Sequence, residues 1–395
     1  METDVVVVGG GATGLGVAWD LALRGVRVAL AEMGAVATGT TGRYHGLLHS
    51  GARYAVSDPE SARECIQENM TLRRVAAQAL EDTGGLFVLA PGDDESFAER
   101  WIAGCRQAGI PIQEISPSQA LQREPMLNPG IRRAFEVPDA TCDPFALGAA
   151  LQRSAEARGA KFFTFHRVEG FQRKDGRIHA VRLHDLRSDE TRQVGCRVVV
   201  IAAGPWSGQV GELARVTCRM NLSRGTMIGF NGRWVNTVIN RLRKPGDGDI
   251  FLPLGTMAIA GTTSVATDDP GDPRIEPWEV ERIISETETF LPRIRQASIL
   301  RAWAGVRPLY DPELAARGDA DAHADARAAS RTFSVLDHAE IDGVGGLVTV
   351  VGGKLTTFRL MAEKTADLVC QKLGIKAECT TAITQLATAG QAVPK

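Results

Sequence analysis

The sequence predicts an α/β fold in which a parallel-sheet domain is interleaved with a second domain built on an antiparallel sheet. Three continuous apolar runs rich in valine predict the parallel sheet, because strands that are buried on both faces show no polar alternation. Short, turn-bounded apolar runs between residues 225 and 261 predict the antiparallel sheet. The length of 395 residues allows the cores of two or three domains.

Charge and composition narrow the class of protein. Lys plus Arg number 45 against 47 for Asp plus Glu, and the net charge of −2 predicts no broad basic surface for nucleic acid or an acidic membrane. Apolar runs are far shorter than the roughly 18 residues that cross a bilayer, and a strand begins at residue 4, so neither a transmembrane segment nor a signal peptide is expected. Seven scattered cysteines without a C-x-x-C pair argue against a zinc ribbon or a Cys-ligated iron–sulfur cluster. We expect a cytoplasmic protein without disulfides.

The first predicted element is a strand, Asp4–Val8, that leads directly into a complete G-x-G-x-x-G motif. A helix over Leu15–Arg24 follows, and a second strand over Val26–Ala31 ends at Glu32. In this arrangement the glycines allow a tight turn, the helix N-terminus faces a pyrophosphate, and the acid accepts a hydrogen bond from a ribose hydroxyl. The residues predicted to bind a dinucleotide at this turn are Gly9, Gly11, Ala12, Thr13 and Gly14. A glycine-rich loop without a ligand is the alternative.

Two later strands favour a flavin dinucleotide over a nicotinamide one. Arg197–Ile201 leads into a run of small residues, and Leu347–Val351 leads into G-G-K-L-T-T before a helix over Phe358–Leu373. The second junction aims backbone amides at an anionic group, such as the pyrimidine edge of a reduced flavin. Each junction alone is also compatible with an ordinary α/β connection; together with the first motif they predict FAD. The flavin contacts expected here are Ala203, Gly204, Trp206, Gly353, Lys354, Leu355 and Thr356.

The segment between Thr38 and Tyr54 reads TGTTGRYHGLLHSGARY, and its glycines and hydroxyl residues predict a structured loop. Such residues suit a pyrophosphate and a ribityl chain, which backbone amides and hydroxyls bind. His45 and His49 are four residues apart, but the glycines argue against a helix and no H-E-x-x-H glutamate is present, so no metal site is predicted. His49 is the candidate general base, since oxidation of an alcohol requires a group that takes the hydroxyl proton. A hydrogen-bonded structural histidine is the alternative.

Five segments together resemble a known family. They read ATGTTGRYHGLLHSGARYAVSDPESAREC from Ala37, VPDATCDPF from Val137, INRLRKPGDGDIFLP from Ile239, AWAGVRPL from Ala302 and GGKLTTFRLMAE from Gly352. In these segments the chain resembles the FAD-dependent glycerol-3-phosphate dehydrogenases, and most closely the catalytic A subunits of the anaerobic enzymes. The resemblance extends to about residue 384. It implies a Rossmann-like FAD-binding domain of the glutathione-reductase type, similar to D-amino-acid oxidase.

The resemblance also implies roles for individual residues. The G-x-G-x-x-G glycines and Glu32 would bind the ADP half of FAD. The loop residues implied to hold the pyrophosphate and flavin are Thr40, Thr41, Gly42, His45, Gly46 and Leu47. Val168 is a further candidate, through its backbone at the adenine, with a plain strand residue as the alternative. The residues implied to surround the substrate are Arg53, Tyr54, Arg307 and Lys354.

The substrate that the resemblance implies is sn-glycerol 3-phosphate, oxidised to dihydroxyacetone phosphate by hydride transfer to the flavin in glycerol metabolism. His49, Arg307 and Lys354 are the predicted catalytic residues. A phosphomonoester needs local cations in a chain of balanced charge; arginine offers a planar fork of donors and lysine a compact charge. An internal salt bridge is the alternative for each arginine. Because arginines also bind carboxylates, a 2-hydroxy acid or an amino acid stays open as the substrate, as does a non-catalytic flavin-bearing subunit.

The predicted FAD-binding domain comprises residues 1–80, 141–220 and 331–380, the substrate domain comprises 81–140 and 221–330, and 381–395 form a tail. Residues Ala315–Ser330 are rich in Ala and Asp and predict a surface insertion. The related A subunits continue into a cysteine-containing, iron–sulfur-type C-terminal domain, which the residues after 380 do not match. Electrons are therefore expected to leave to a quinone or a partner subunit, and such partners imply a peripheral position on the inner face of the cell membrane.

Overall fold

The structure is a computed structural model that describes residues 1–310 and 332–388. The insertion predicted at Ala315–Ser330 lies outside the described residues, as do the last seven residues of the predicted tail. The strands are β1 (Val5–Val8), β2 (Val28–Glu32), β3 (Leu47–Leu48), β4 (Leu80–Glu81), β5 (Gly85–Leu89), β6 (Gln113–Ile115), β7 (Arg133–Val137), β8 (Ala140–Cys142), β9 (Lys161–Thr164), β10 (His166–Lys174), β11 (Arg177–Asp185), β12 (Thr191–Gly195), β13 (Val198–Ile201), β14 (Asn221–Asn231), β15 (Val238–Arg241), β16 (Ile250–Leu254), β17 (Met257–Gly261), β18 (Val265–Ala266), β19 (Ile299–Leu309), β20 (Phe333–Asp337) and β21 (Leu347–Gly352). The helices are α1 (Ala12–Leu23), α2 (Pro59–Val75), α3 (Glu95–Ala108), α4 (Pro117–Arg123), α5 (Pro144–Glu156), α6 (Ser207–Leu213), α7 (Pro277–Glu288), α8 (His338–Ile341) and α9 (Phe358–Leu373).

A six-stranded sheet forms the first layer, in the order β20-β21-β13-β1-β2-β9. Its strands run parallel except β20, which pairs antiparallel with β21. The valine run of β1 is fully buried at the centre, because α1, α5 and α9 cover one face and the β10-β11-β12 sheet covers the other. A strand enclosed in this way has no solvent-facing side, which explains its unbroken apolar sequence. The predicted Rossmann-like layer is therefore present.

The second large sheet follows the order β18-β14-β17-β16-β15-β5-β7-β6, with β19 paired to the other edge of β14. Most neighbours are antiparallel, as predicted, but β5 and β15 are parallel. The sheet is thus antiparallel among the predicted runs and mixed only where β5, which was not predicted, joins β15. The two strands come from separate segments of the chain, so no hairpin turn sets their relative direction.

The strands of the two large sheets come from alternating stretches of sequence. The six-stranded sheet uses strands from the segments predicted for FAD binding, and the mixed sheet uses strands from the segments predicted for substrate binding. A small third sheet, β3-β8-β4, stands apart from both, with Leu47 paired to Thr141 and Leu80 to Cys142. The domain bounds themselves stay a prediction.

Several element bounds differ from those predicted. The helix predicted over Leu15–Arg24 spans Ala12–Leu23. Helix α2 ends at Val75, where Ala76 leaves helical geometry with φ −129° and ψ 26°. The chain then makes a short 3-10 turn, and Leu80 in β4 pairs with Cys142 of β8. By contrast α9 has the predicted bounds. Across residues 1–310 and 332–388, no helix has both the length and the hydrophobicity that crossing a bilayer requires.

Candidate functional site

A cavity of about 850 Å³ lies at the carboxyl ends of the parallel strands. Val8 ends β1, Ala31 lies near the end of β2, Ala202 follows β13 and Val351 lies in β21, and all four line the cavity. Arg307 of β19 closes the wall from the mixed sheet. The strand order reverses at β1, and crevices at such a switch point of an open α/β sheet are where ligands bind. The volume is within the range of cofactor and small-molecule pockets.

The G-x-G-x-x-G turn brings backbone close to backbone. Gly9 has φ +112°, and a Cβ there would lie 2.5 Å from the carbonyl oxygen of Ala202. A Cβ on Gly14 would lie 2.0 Å from the carbonyl oxygen of Gly9, so Gly14 lets α1 pack on β1 rather than lining the cavity. Gly11, Ala12 and Thr13 do line it. The N-terminus of α1, whose N-cap Gly11 carries no capping side chain, thus faces the cavity and suits a bound pyrophosphate.

Glu32 stands at the edge of the same cavity, at the end of β2. Its carboxylate accepts from the backbone N–H of Gly10 at 2.6 Å and from that of Gly34 at 2.7 Å. These two bonds fix the carboxylate beside the glycine turn, and each oxygen keeps lone-pair capacity for a further donor. A ribose hydroxyl is a donor that this position suits.

The hydroxyl-rich loop contains two 3-10 turns, Thr40–Arg43 and Ala52–Tyr54, around the short strand β3. Thr41 Oγ1 accepts from the Ala12 N–H at 3.0 Å, and Thr40 Oγ1 donates to the Val306 carbonyl at 2.7 Å. The loop therefore connects the glycine turn to β19. The predicted loop residues that line the cavity are Thr40, Thr41, His45 and Leu47, whereas Gly42 and Gly46 lie behind its wall.

Four rings follow one another along one side of the cavity. Tyr44 and His45 have ring centroids 5.4 Å apart, His45 and His49 are 5.7 Å apart, and His49 and Tyr54 are 5.4 Å apart. The Lys354 Nζ lies 5.0 Å from the centroid of the Tyr54 ring, within cation–π range. All five residues line the cavity. The predicted base, one aromatic neighbour and one predicted substrate cation are thus contiguous.

His45 has a fixed protonation state. The backbone N–H of Leu47 donates to its Nδ1 at 3.0 Å, so Nδ1 is the acceptor and the neutral ring carries its proton on Nε2. Burial, with smaller contributions from the charges of Arg307 and Arg53, lowers the pKa of His45 to about 3. His45 is therefore a neutral donor at physiological pH. In the described part of the chain, no group of three or more His, Cys, Asp or Glu side chains could hold a metal ion.

His49 projects from a backbone that is held on both sides. Asn69 Nδ2 donates to the carbonyl oxygens of Leu48 and His49, both at 3.2 Å, and the His49 N–H donates to Thr356 Oγ1 at 3.1 Å. The next N–H, of Ser50, donates to Asp139 Oδ1 at 2.6 Å. Asn69 and Asp139 are both buried and were not predicted from the sequence. No local pattern marks them, because their partners are 20 and 89 residues away.

Arg307 and Lys354 reach the cavity from different sheets. The Arg307 guanidinium contacts Thr262 Oγ1, donates to the Thr263 carbonyl at 3.0 Å and donates to Ser223 Oγ at 3.4 Å. Lys354 follows β21, and its Nζ donates to Ser61 Oγ on α2 at 2.8 Å. Arg307 is also close enough to His45 to influence its pKa. Two cations and two imidazoles therefore share one end of the cavity.

Arg53 is the predicted substrate residue that the structure places elsewhere. It is not in the cavity wall; its Nη2 donates to the Gly246 carbonyl at 3.1 Å and pairs with Asp249 Oδ2 at 3.3 Å. Asp249 is fully buried and also pairs with Arg243. The internal salt bridge that stayed open for each arginine is thus present at Arg53, and its role toward substrate stays a prediction.

The other predicted contacts converge on the cavity. These are Val168, Ala203, Gly204, Trp206, Gly353, Leu355 and Thr356. Further wall residues that the sequence reasoning missed are Met33, Gly34, Thr38, Arg43, Tyr44, His166, Arg167, Glu169, Gln209, Val210, Leu213 and Met361. Eight of these twelve lie within two residues of a predicted residue, so their position in the sequence could have indicated them. Gln209 and Met361 lie on α6 and α9, and their helical positions gave no sign of which face meets a ligand.

The cavity fits a dinucleotide with a flat ring system. Its nucleotide end offers the uncapped start of α1, the Thr41 hydroxyl and the Glu32 carboxylate, which match a pyrophosphate and a ribose. Its other end offers small residues and backbone after β13 and β21, which allow a planar ring to approach. Beyond that end stand the cations and imidazoles that would meet a small anionic molecule.

Comparison with known proteins gives a consistent result. Residues 4–368 match the FAD dependent oxidoreductase (DAO) family. The chain is 46% identical to the A subunit of the anaerobic glycerol-3-phosphate dehydrogenase of Escherichia coli K12 over 383 residues, which cover 96% of this chain and 69% of that protein. It is 42% identical to the protein of the same name from Haemophilus influenzae, covering 97% and 67%. Among solved structures, the FAD complex of the glycerol-3-phosphate dehydrogenase of Bacillus halodurans has a similar fold, with a TM-score of 0.74 at 24% identity, covering 99% of this chain and 69% of that one.

Proposed function

Since this chain belongs to the FAD dependent oxidoreductase family, and within it to the anaerobic glycerol-3-phosphate dehydrogenase A subunits, we propose that it oxidises sn-glycerol 3-phosphate to dihydroxyacetone phosphate. FAD is its cofactor, as the sequence predicted. The observation that carries the substrate proposal is the cluster at one end of the cavity, where Arg307 and Lys354 accompany His49. The phosphate of this substrate requires cations, and the oxidation of its hydroxyl group requires a proton acceptor; the cluster offers both.

FAD would be held by residues already described. The start of α1 and Thr41 suit the pyrophosphate, Glu32 suits the adenosine ribose, and the backbone that follows β13 and β21 suits the ring system. Bound FAD supplies the two-electron acceptor for the oxidation of an alcohol. The protein contributes binding, orientation and placement of charge.

Arg307 and Lys354 would bind the phosphate. A guanidinium presents two N–H groups to two phosphate oxygens, and an ammonium adds a compact charge. Arg307 projects from a strand and is braced by Ser223, Thr262 and Thr263, so part of the entropy cost of ordering its long side chain is met before substrate arrives. Phosphate binding remote from the reacting carbon then orients the secondary alcohol.

His49 would accept the hydroxyl proton. Hydrogen bonds with Asn69 and Thr356 hold its backbone, so the Cα from which the imidazole projects is fixed beside the cavity. His45, next to it, is neutral and presents an Nε2–H donor. A neutral neighbour avoids the like-charge repulsion that would oppose protonation of His49.

Electrons would then pass to a quinone or to a partner subunit. The proposal rests on the names of the relatives, which describe each as the A subunit of an enzyme. Assembly with further subunits would hold the chain as a peripheral protein at the inner face of the cell membrane. Co-purification of the chain with its neighbours from a native extract, with and without high salt, tests this; a chain that elutes alone at low salt would contradict it.

The test of the substrate is an anaerobic titration. The purified, FAD-loaded protein is mixed with sn-glycerol 3-phosphate, and the flavin absorption at about 450 nm is followed. We expect bleaching with this substrate and none with lactate, 2-hydroxyglutarate or sarcosine. Bleaching by a hydroxy acid or an amine instead would overturn the substrate, and a yellow protein that none of them reduces would favour a non-catalytic role.

A further inference from the structure

The contacts of Arg307 point to a residue that directs it. One terminal nitrogen, Nη2, contacts Thr262 Oγ1 and donates to the Thr263 carbonyl at 3.0 Å, and the other donates to Ser223 Oγ at 3.4 Å. A terminal nitrogen that donates to a main-chain carbonyl is directed toward the oxygen of that carbonyl. The orientation of the Thr263 peptide therefore bears directly on the orientation of the guanidinium.

Thr263 is itself fixed through its hydroxyl group. Its side chain is buried, with 1% of the residue exposed. The hydroxyl donates to Glu279 Oε1 at 2.6 Å and accepts from the Thr226 N–H at 2.9 Å. A hydroxyl with both a donor and an acceptor partner is held in one rotamer, and the attached peptide follows.

Glu279 is an anchor rather than a member of the cavity wall. It lies on α7, is fully buried, and its Oε2 accepts from Arg224 Nη2 at 2.7 Å and from the Glu276 N–H at 3.1 Å. Its Oε1 accepts from Thr226 Oγ1 at 3.0 Å as well as from Thr263. The buried charge is thus paired and hydrogen-bonded, which is the condition for a rigid polar network in a protein interior.

We infer that Thr263, locked by Glu279, is a positioning residue that aims Arg307 at the substrate phosphate. The inference rests on the proposed function, which makes Arg307 the phosphate ligand. Anion binding by a guanidinium depends on the direction of its planar fork, so a guanidinium that is free to rotate loses affinity through entropy and geometry. Because the phosphate is bound equally in ground and transition states, loss of this aim raises KM more than it lowers kcat.

The test compares two threonines that donate to the same carboxylate oxygen. Thr263→Val removes the hydroxyl that orients the peptide under Arg307, at nearly constant volume. Thr226→Val removes the other hydroxyl on Glu279 Oε1, from a strand residue that pairs with Ala304. We expect Thr263→Val to raise KM for glycerol 3-phosphate about tenfold with kcat within about twofold, Thr226→Val to leave both within about twofold, and Thr263→Ser to restore KM.

A double-mutant cycle with Arg307→Ala separates this inference from the proposed function. If Thr263 acts through Arg307, Thr263→Val has no further effect on KM in the Arg307→Ala protein. An Arg307→Ala protein with unchanged KM would overturn both the proposed role of Arg307 and the inference. A raised KM in Arg307→Ala, with equal effects of Thr263→Val and Thr226→Val or with full additivity in the cycle, would overturn the inference alone. Thr263→Val removes two hydrogen bonds and Thr226→Val one, so the thermal unfolding midpoint of Thr263→Val should fall further. Midpoints that stay well above the assay temperature in both variants exclude a general loss of structure as the cause of a KM difference.

Discussion

The two ends of the cavity are built by different means. At the nucleotide end, glycines, backbone amides and short hydroxyl side chains within the first 48 residues form the wall. At the anion end, long charged side chains from distant segments are held by partners far away in sequence, such as Arg307 by Ser223 and Lys354 by Ser61. The nucleotide end therefore depends on the shape of the backbone, and the anion end depends on the orientation of long, flexible cationic side chains.

This difference sets how each end responds to change. A glycine whose Cβ would overlap a carbonyl leaves no room for adjustment, so substitution is close to all-or-none. A cation at the end of a four-atom stem can move, and losing one partner shifts its position by degrees. We therefore expect abrupt effects at the nucleotide end and graded, substrate-specific effects at the anion end.

The largest effect is expected at the glycine turn. Gly14→Ala places a Cβ 2.0 Å from the Gly9 carbonyl oxygen, which forces α1 away from β1. We predict a protein that is purified without FAD, measured as the absence of flavin absorption after reconstitution. Gly170→Ala, whose Cβ meets only the flexible end of Arg182 at 3.4 Å, is the matched control and should bind FAD normally. Flavin-loaded Gly14→Ala would show that the nucleotide end tolerates change as the anion end does.

The next effect is expected at Arg307. Arg307→Ala removes a two-pronged, charge-assisted contact to phosphate, so kcat/KM for glycerol 3-phosphate should fall about a hundredfold while FAD stays bound. Arg301→Ala is the control on the same strand, because Arg301 is exposed and stacks on Trp303 at 4.9 Å. Its kinetics should match the wild type. Equal kinetics in the two variants would remove Arg307 from the substrate site.

The same difference explains what the sequence could predict. The N-terminal motif could be predicted because its strand, glycine turn, helix and acid follow one another within about 30 residues. The structure contains them as β1, α1, β2 and Glu32. The family resemblance is confirmed by the matches over nearly the whole chain. The parallel pairing of β5 with β15 was missed, because strands from separate segments meet only in three dimensions.

Long-range partners account for most of what was missed at the site. Arg53 and Asp249 are 196 residues apart, and Asn69 reaches the His49 carbonyl across 20 residues, so motif spacing predicts neither contact. A motif shows that an arginine is present, but it does not show whether that arginine contacts a substrate or an internal acid. Only the fold decides between them, because it brings the turn Ala52–Tyr54 next to the loop before β16.

A smaller kinetic effect is expected from the Arg53 salt bridge. Asp249→Asn leaves two guanidiniums, of Arg53 and Arg243, without their shared buried carboxylate. Breaking a buried pair costs about 3 kcal/mol, so the free energy of unfolding in urea should fall by that amount while KM rises less than tenfold. Asp82→Asn removes the exposed partner of Arg73 and should cost less than about 1 kcal/mol. A hundredfold rise in KM for Asp249→Asn at unchanged stability would instead place Arg53 at the substrate.

The smallest effect is expected from His45 and appears only in acid. The folded protein lowers the pKa of His45 to about 3, whereas the unfolded chain restores about 6.5. Above about pH 6.5 neither state binds the proton, so the full stability is present; as pH falls from there toward 3, only the unfolded state binds it and stability is lost. At about pH 5 this loss amounts to about 2 kcal/mol from His45 alone.

His45→Asn should therefore lose less stability than the wild type between about pH 7.5 and pH 5, measured by urea unfolding of the FAD-loaded proteins. His179→Asn, at an exposed imidazole, is the control and should lose as much as the wild type. The comparison also bears on the anion end of the cavity, because His45 lies there and its pKa is depressed by burial first and by Arg307 second. In the Arg307→Ala background the acid loss from His45 should shrink only slightly. A loss that disappears with Arg307 would make the cations, and not burial, the reason that this imidazole stays neutral.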